Sequence, residues 1–197
     1  MNLRLVLFLL CATIFLGCSP KTIDTDLHLV LRENPQSLDP AMSQDAIAAY
    51  ALGPIYEQPL QYHYLKRPYE LVPLLLESLP EYSKDGLTVT LKIKKGVKFQ
   101  DDPCFPGGLG RELVADDFVF AWKRLADTRT RSEGWWIFDG KVVGFNEWRE
   151  ANQKSGKTDY SKPIEGFKVI DSHTLQIKLT KKYPQLNYVL AMPFTSP

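Results

Sequence analysis

Residues 87–94 read Leu-Thr-Val-Thr-Leu-Lys-Ile-Lys, an unbroken alternation of apolar and polar side chains. Successive side chains of a β-strand point to opposite faces, so this alternation predicts a strand with one face in the core and the other toward solvent. Lys84-Asp85-Gly86, directly before it, is typical of a hairpin turn. The clearest element of the chain is therefore a strand of an antiparallel hairpin.

The residues that follow contain further helical and strand patterns. Phe118, Trp122 and Leu125 recur at the spacing of one helix face, which predicts a helix over Asp116–Leu125. Later elements are a helix around Val142–Gln153 and a hairpin of Phe167–Ile170 and Thr174–Leu179 that turns through Asp171-Ser172-His173. Strands mixed with segregated helices indicate the α+β (mixed α/β) fold class.

Three elements are predicted before residue 87. Leu27–Leu31 is an apolar run that predicts a buried strand, and Asn34–Pro40 encloses turn-forming residues between two prolines and predicts a rigid loop. A helix is expected over Gln44–Glu57, with Ser43 as its N-cap and Pro54 shortening or kinking it.

Composition excludes several classes of protein. The chain has 197 residues, of which 44% are hydrophobic and 24% charged, as in ordinary globular domains. Arg4 is the only charged residue among residues 1–17, and the remainder carries 23 bases and 23 acids. A neutral balance offers no surplus of positive charge to drive nucleic-acid binding, so no nucleic-acid partner is expected.

The first eighteen residues have the pattern of an export signal. Arg4 precedes a twelve-residue apolar run, Leu5–Leu16, which is short for a bilayer-spanning helix of ~20 residues. Leu16-Gly17-Cys18 ends the run and resembles a bacterial lipoprotein signal, which implies cleavage before Cys18 and acylation of its thiol. An ordinary signal with an accidental cysteine remains the alternative. Acyl chains on Cys18 would tether the folded part to a lipid bilayer.

The residues that could support catalysis or bind metal do not form a convincing site. Ala151–Thr158 fits a relaxed phosphate-loop pattern, but no strand precedes it and no helix begins after it. The histidines, His28, His63 and His173, lack metal-spaced companions, so no metal or cofactor is expected. Beyond the export signal only Cys104 is left as a thiol, and a buried inert thiol or a loop residue is favoured over a nucleophile. The sequence therefore predicts a protein that is not an enzyme.

Aromatic residues are the better candidates for ligand contact. Trp135 and Trp136 follow Gly134 in a stretch that looks like a loop, so one of the two is a candidate for exposure. Tryptophan offers a flat amphipathic surface that suits binding sites. Packing in the core is the competing interpretation for each aromatic residue, and it is preferred for Trp122.

A series of short motifs runs along the chain: Ser37-Leu38-Asp39-Pro40, Ile55-Tyr56-Glu57, Val72-Pro73-Leu74, Asp85-Gly86-Leu87-Thr88, the run Leu91–Phe99, the run Ala115–Leu125, and Val169–Leu179. The order of these motifs resembles the N-terminal part of the family 5 extracytoplasmic solute-binding proteins, the dipeptide- and oligopeptide-binding group that serves ABC importers. Each motif is short, but together they extend over nearly all of residues 27–197. The insertion at Asp101–Glu112 is longer than the turn that is usual in the family.

The resemblance implies the N-terminal part of a bilobal periplasmic-binding-protein fold of type II, whose lobes close over a ligand. It implies that Gln44, Asp45 and Ala46 line the cleft with main-chain groups, to which a peptide adds as a strand. It also implies an aromatic ligand contact near residues 132–135, for which Trp135 is the candidate. The partners implied are an oligopeptide or other small solute and the permease subunits of an ABC transporter, in the periplasm or cell envelope.

The resemblance also suggests how the chain divides. The expected parts are a signal peptide over 1–17, a lipidated tether over 18–26, a first segment of the main lobe over 27–58, a small α+β domain over 59–182, and a truncated return into the main lobe over 183–197. The second lobe, with the carboxylate that meets a peptide's amino group in the family, is expected to lie beyond this chain.

Three other functions stay open on the sequence alone. The same fold could bind nickel, heme, a sugar or an opine in place of a peptide. An envelope lipoprotein hydrolase would need a nucleophile with a base, which Cys104 and the distant histidines do not convincingly supply. A purely structural envelope lipoprotein would have no solvent-exposed cleft.

Overall fold

A four-stranded antiparallel sheet forms the scaffold of the computed structural model, which describes residues 30–43 and 45–197. The strands are β1 Leu60–Tyr62, β2 Leu71–Pro73, β3 Glu81–Tyr82, β4 Thr88–Lys92, β5 Phe167–Asp171 and β6 Thr174–Lys178. The larger sheet has the order β3-β4-β6-β5, and β1 and β2 form a separate two-stranded hairpin. The mixed α and β architecture is the predicted fold class.

The predicted hairpins are confirmed. β3 pairs with β4 across the turn at residues 83–87, and β5 pairs with β6 across Ser172 and His173. The two hairpins join because β4 pairs with β6, with Val89 opposite Ile177 and Leu91 opposite Leu175. These four side chains are fully buried, while their neighbours Thr88, Thr90 and Lys92 are more exposed. The alternation at residues 87–94 thus determines which face of the sheet is buried.

Four α-helices are present in the described part of the chain: α1 Ala46–Leu52, α2 Ala115–Ala126, α3 Phe145–Ser155 and α4 Leu186–Val189. Helices α2 and α3 confirm two predictions within a few residues. Asp117 accepts a hydrogen bond from the Val114 main-chain nitrogen at 2.8 Å, which places its negative charge at the N-terminus of α2, where such a charge is favourable. Single turns of 3-10 helix cover Pro40–Met42, Pro106–Gly108, Glu133–Ile137 and Pro193–Thr195.

The core lies between the larger sheet and α2. Trp122 is fully buried, and its ring centroid lies 5.2 Å from those of Phe138 and Phe167 and 5.8 Å from that of Phe118. Its indole nitrogen donates to the main-chain oxygen of Thr195 at 3.2 Å. The preference for Trp122 as a core residue is confirmed. Because of this hydrogen bond, the segment at residues 193–196 is tied to the core helix.

Near the start of the described chain, the predicted N-cap is wrong, and the strand predicted over Leu27–Leu31 is wrong at Val30 and Leu31. Val30 and Leu31 are outside every described strand. A strand needs a partner strand, and none of the described strand pairs includes them. Residues 27–29 of the predicted strand lie outside the described residues. Asp45, not Ser43, is the N-cap of α1. The main-chain nitrogen of Ser43 donates to the Pro40 oxygen and closes the turn at Pro40–Met42, so the helix begins only after this turn. It ends at Leu52, before Pro54, as predicted.

Among residues 30–43 and 45–197, none of the helices combines the length and apolar character needed to cross a bilayer. Cys18, the proposed lipidation site, lies outside the described residues, as does the whole signal segment 1–17.

Candidate functional site

Asp39 is the organising residue of the Ser37-Leu38-Asp39-Pro40 motif. Its carboxylate accepts a hydrogen bond from the Ala41 nitrogen at 3.0 Å and so caps the turn Pro40–Met42. Its own nitrogen donates to the Ser37 hydroxyl at 3.0 Å. A short carboxylate side chain suits this role because it can bond to the backbone two residues ahead. The motif therefore builds a fixed turn immediately before the predicted ligand-binding segment.

Arg124 of α2 holds this turn from the other side. Its guanidinium forms a two-pronged ion pair with the Asp39 carboxylate, in which Nη1 donates at 3.1 Å and Nη2 forms the shorter bond. The hydrogen bond to Asp39 is the main reason that the pKa of Arg124 is raised. The side chains are 33% and 27% exposed, so the pair is only partly screened by water.

Two of the predicted ligand-binding residues follow the turn. Asp45 accepts a hydrogen bond from the Ala48 nitrogen at 2.7 Å and so fixes the start of α1. Ala46, the first residue of the helix, is exposed. Gln44, the third residue, lies outside the described residues. The Asp45 carboxylate is thus engaged with its own helix, and Ala46 has no functional side chain, so a ligand role for this pair would fall to the main chain.

A cavity of about 480 Å³ opens beside the turn. Its lining includes the Asp39–Arg124 pair and the aromatic residues Tyr56, Phe99, Phe120 and Phe194. A second cavity, also about 480 Å³, shares Tyr56 and Phe99 with the first and is lined further by Phe105 of the 101–112 insertion. The ring centroids of Phe99 and Phe105 are 5.8 Å apart. The insertion therefore contributes a wall to this part of the surface.

Trp135 lies in the 3-10 helix Glu133–Ile137, which Ser132 caps by accepting from the Gly134 nitrogen at 3.1 Å. Its ring is half-buried and lies under the Arg149 guanidinium, 4.5 Å from the ring centroid. Trp136 is the exposed member of the pair, at 45%. One of the two tryptophans is therefore exposed, and it is not the one for which the resemblance implies a ligand contact.

The segments that carry these residues meet. The turn Pro40–Met42 packs against both Glu133–Ile137 and Pro193–Thr195, and it also contacts α2. Gly134 is required at this junction, since a Cβ there would come within 2.5 Å of the Phe194 ring. The described structure thus places the Asp39 turn beside the helical turn that carries Trp135.

Sequence reasoning missed Arg124 and the Trp122–Thr195 hydrogen bond. Both link residues more than seventy positions apart in the chain. Arg124 belongs to the motif Ala115–Leu125, and its place in the last turn of the helix is the one local signal that marks it.

The cysteine and the two described histidines that were considered for catalysis lie apart from one another, and His28 lies outside the described residues. Cys104 is exposed in a loop, and its hydrogen bond with Asp102 is the main reason that its pKa is raised, which disfavours the thiolate. His63 accepts hydrogen bonds from the Leu65 and Lys66 nitrogens, and His173 lies 3.1 Å from Glu112. In the described part of the chain no group of three or more histidine, cysteine or acidic residues is placed to hold a metal ion.

The sequence belongs to a known family. The family described as bacterial extracellular solute-binding proteins, family 5, middle region, matches residues 70–197. This match covers more than half of the chain, and the chain is a member of that family of solute-binding proteins. The order of motifs from Val72 to Leu179 is thereby explained.

Similar proteins include several that are named for peptide binding. The chain is 33% identical over 116 residues to the periplasmic oligopeptide-binding protein OppA of Escherichia coli, which covers 58% of this chain and 19% of that protein. It is 37% identical over 118 residues to the oligopeptide-binding protein AmiA of Streptococcus pneumoniae, which covers 59% and 16%.

A comparison with a solved structure shows which fold the chain shares with such proteins. The structure of the pheromone receptor PrgZ, described with its mode of peptide binding, matches 83% of this chain and 29% of that one with a TM-score of 0.65 and 27% identity. The chain therefore spans less than a third of the proteins that it resembles, and its fold is part of a bilobal periplasmic-binding-protein fold.

Proposed function

We propose that this chain is part of the peptide-capturing component of an ABC importer and that it acts without catalysis. The observation that carries the proposal is the Asp39 turn, fixed from two sides, directly before an exposed helix start at Ala46. A peptide is recognised independently of its sequence when its N–H and C=O groups pair with a fixed main-chain edge. A fixed edge also lowers the entropic cost of binding, because the protein loses little freedom when the ligand arrives.

Gln44, Asp45 and Ala46 are the proposed main-chain contacts, by resemblance to the family. The engagement of the Asp45 carboxylate with the Ala48 nitrogen supports a positional role for this side chain. Trp135 is the proposed aromatic contact, and its half-buried ring leaves one part of its surface for a ligand. The names of OppA and AmiA support an oligopeptide as the ligand class.

Delivery to a permease and attachment to a membrane through acylated Cys18 complete the proposal. A tether at Cys18 would keep the binding part at the surface of the membrane that holds the permease. Metabolic labelling with palmitate tests the anchor: we expect label on the parent chain and none on Cys18→Ser. Label retained by the Cys18→Ser variant would contradict it.

Isothermal titration calorimetry tests the ligand class. The product of the complete reading frame from which this chain comes is titrated with di- to pentapeptides of mixed sequence, and with nickel, heme and a sugar as comparison ligands. We expect saturable binding of peptides that depends on length more than on sequence. Binding of one of the comparison ligands without binding of any peptide would overturn the proposal.

A further inference from the structure

The loop between β1 and β2 exposes an unusual group of side chains. Tyr64 and Leu65 are 88% and 76% exposed, and Tyr62 and Tyr69 are 46% and 68% exposed. Lys66 and Arg67 lie between them in the chain. We call residues 62–70 the hairpin tip. Large apolar and aromatic side chains that are exposed together on one loop, with bases among them, mark a contact surface more often than a random piece of surface.

The hairpin tip is held in shape by its own hydrogen bonds. The His63 ring nitrogen Nδ1 accepts hydrogen bonds from the main-chain nitrogens of Leu65 and Lys66, each at 3.2 Å. The main-chain nitrogen of His63 donates to the main-chain oxygen of Glu70 at 2.7 Å. Arg67 Nη1 donates to the Tyr64 and Lys66 oxygens at 3.3 and 2.8 Å. The loop therefore keeps Tyr64 and Leu65 outside without a partner from the rest of the described chain.

The aromatic rings are ordered as well. The Arg67 guanidinium lies 4.4 Å from the Tyr69 ring centroid, and the Tyr62 and Tyr69 rings meet edge to face at 5.9 Å. Tyrosine combines an apolar ring with a polar hydroxyl and is enriched where hydrocarbon meets water. Lysine and arginine extend their apolar stems beside such rings and keep their charges at the level of lipid headgroups.

We propose that the hairpin tip docks on the surface of an anionic lipid bilayer. Charge complementarity decides the occupant: the tip has two permanent bases, Lys66 and Arg67, against one acid, Glu70, in a chain that is otherwise neutral. Glu70 is paired with Lys66 at 2.9 Å, which leaves the Arg67 charge in excess in the hairpin tip. Such docking would orient the binding part on its membrane, in addition to any attachment through Cys18.

Quenching of tryptophan fluorescence by lipids with brominated acyl chains tests this docking. The full chain is reconstituted with vesicles of phosphatidylcholine mixed with phosphatidylglycerol, and flotation in parallel measures how much of it is bound. The reporter is Tyr64→Trp, compared with the parent chain, whose natural tryptophans supply the background. The matched control is Tyr50→Trp, since Tyr50 is 75% exposed but lies on α1, outside the tip.

We expect brominated lipid to quench the Tyr64→Trp variant beyond the parent and to leave Tyr50→Trp at the parent level. Adding Lys66→Gln or Arg67→Gln to the reporter should lower the ratio of docked to undocked tip by about fivefold each, and neutral vesicles should do the same or more. Equal quenching of the two reporters, or failure of the chain to float with anionic vesicles, would overturn the proposal. Quenching that appears only with a permease in the vesicle would assign the tip to a protein partner and would also overturn it.

Discussion

Helix α2 takes part in two regions that are held together in different ways. Toward the sheet, Phe118 and Trp122 are fully buried among other aromatic rings. At the Asp39 turn, Arg124 of the same helix makes a directional ion pair whose side chains still reach water. Burial of apolar surface is strong but tolerant of orientation, whereas a two-pronged ion pair is weaker and fixes geometry. The comparison indicates that the core decides whether the chain folds, and the turn decides where Ser43, Asp45 and Ala46 are placed.

The largest effect is expected in the core. Trp122→Ala should lower the free energy of unfolding by about 3–5 kcal/mol, because it empties the space between Phe118, Phe138 and Phe167. Denaturant unfolding measures the loss. Phe120→Ala is the matched control on the same helix, since Phe120 is 55% exposed, and should cost less than about 1.5 kcal/mol. Equal losses for the two variants would refute this description of the core.

Asp127, at the end of α2, is a buried acidic residue that is held by directional hydrogen bonds. Burial raises its pKa, but hydrogen bonds from the Arg129 nitrogen, the Thr158 hydroxyl and the Tyr160 hydroxyl outweigh burial and hold the pKa below the ordinary value. Burial and the bond to Asp127 in turn raise the pKa of Tyr160 to about 12.

A carboxylate whose pKa is lowered by folding stabilises the protein above its unfolded pKa of about 3.9, and this stability is lost as the pH falls through the folded value. Asp127→Asn should cost about 1–3 kcal/mol near neutral pH. The difference between parent and variant should shrink as the pH falls below about 5. Thermal unfolding from neutral pH into that range measures it, and a difference that stays constant would show that the Asp127 charge contributes nothing.

The Asp39–Arg124 pair should show a smaller effect that depends on both partners. In a double-mutant cycle of Asp39→Ala and Arg124→Ala, we expect a coupling energy of about 1–2 kcal/mol in unfolding. The control pair is Glu150–Lys154 on α3, which is highly exposed with its charged atoms 3.8 Å apart, and should couple by less than about 0.5 kcal/mol. If the two pairs coupled equally, the Asp39 turn would not be held in the way described.

The smallest effect is expected at the tryptophan pair. Trp135→Ala removes the contact with the Arg149 guanidinium and should lower stability by about 0.5–1 kcal/mol. Under the proposed function it should also weaken peptide binding by about fivefold. Trp136→Ala is the neighbouring control and should leave peptide affinity within about twofold. Calorimetry measures the peptide affinity of both variants. Equal affinities would show that Trp135 is not part of the site.

The sequence predicts elements that depend on local spacing better than elements that need a partner from elsewhere in the chain. The alternation at 87–94 and the spacing of Phe118, Trp122 and Leu125 are local signals that carry their own periodicity, and both elements form where expected. The strand predicted at Leu27–Leu31 lacks such support at Val30 and Leu31, because an apolar run alone does not supply a partner strand.

The candidate site could be predicted only in part. Asp45 and Ala46 come from the resemblance, and the structure adds that Asp45 caps α1. The ion pair of Asp39 with Arg124 joins positions 85 residues apart, and no spacing rule connects them. Ser43 was a sound candidate for the N-cap by residue type, but the turn at Pro40–Met42 moved the start of the helix to Ala46.

The proposed peptide contact is made by the main chain at residues 44–46 and not by the side chains there. Ala46→Pro removes one main-chain N–H, and the fold should accept it, because Ala46 is the first residue of α1, where proline is favoured. Asp45 already has the extended conformation (φ −109°, ψ 159°) that a residue before proline requires. Ala46→Ser keeps the N–H and is the matched control.

Calorimetry on these two variants, in the product of the complete reading frame and with a peptide of a length that the parent binds, measures this contact. We expect Ala46→Pro to lose about tenfold in affinity and Ala46→Ser to stay within about twofold of the parent, at equal thermal stability. Equal peptide affinity for the proline and serine variants would contradict it.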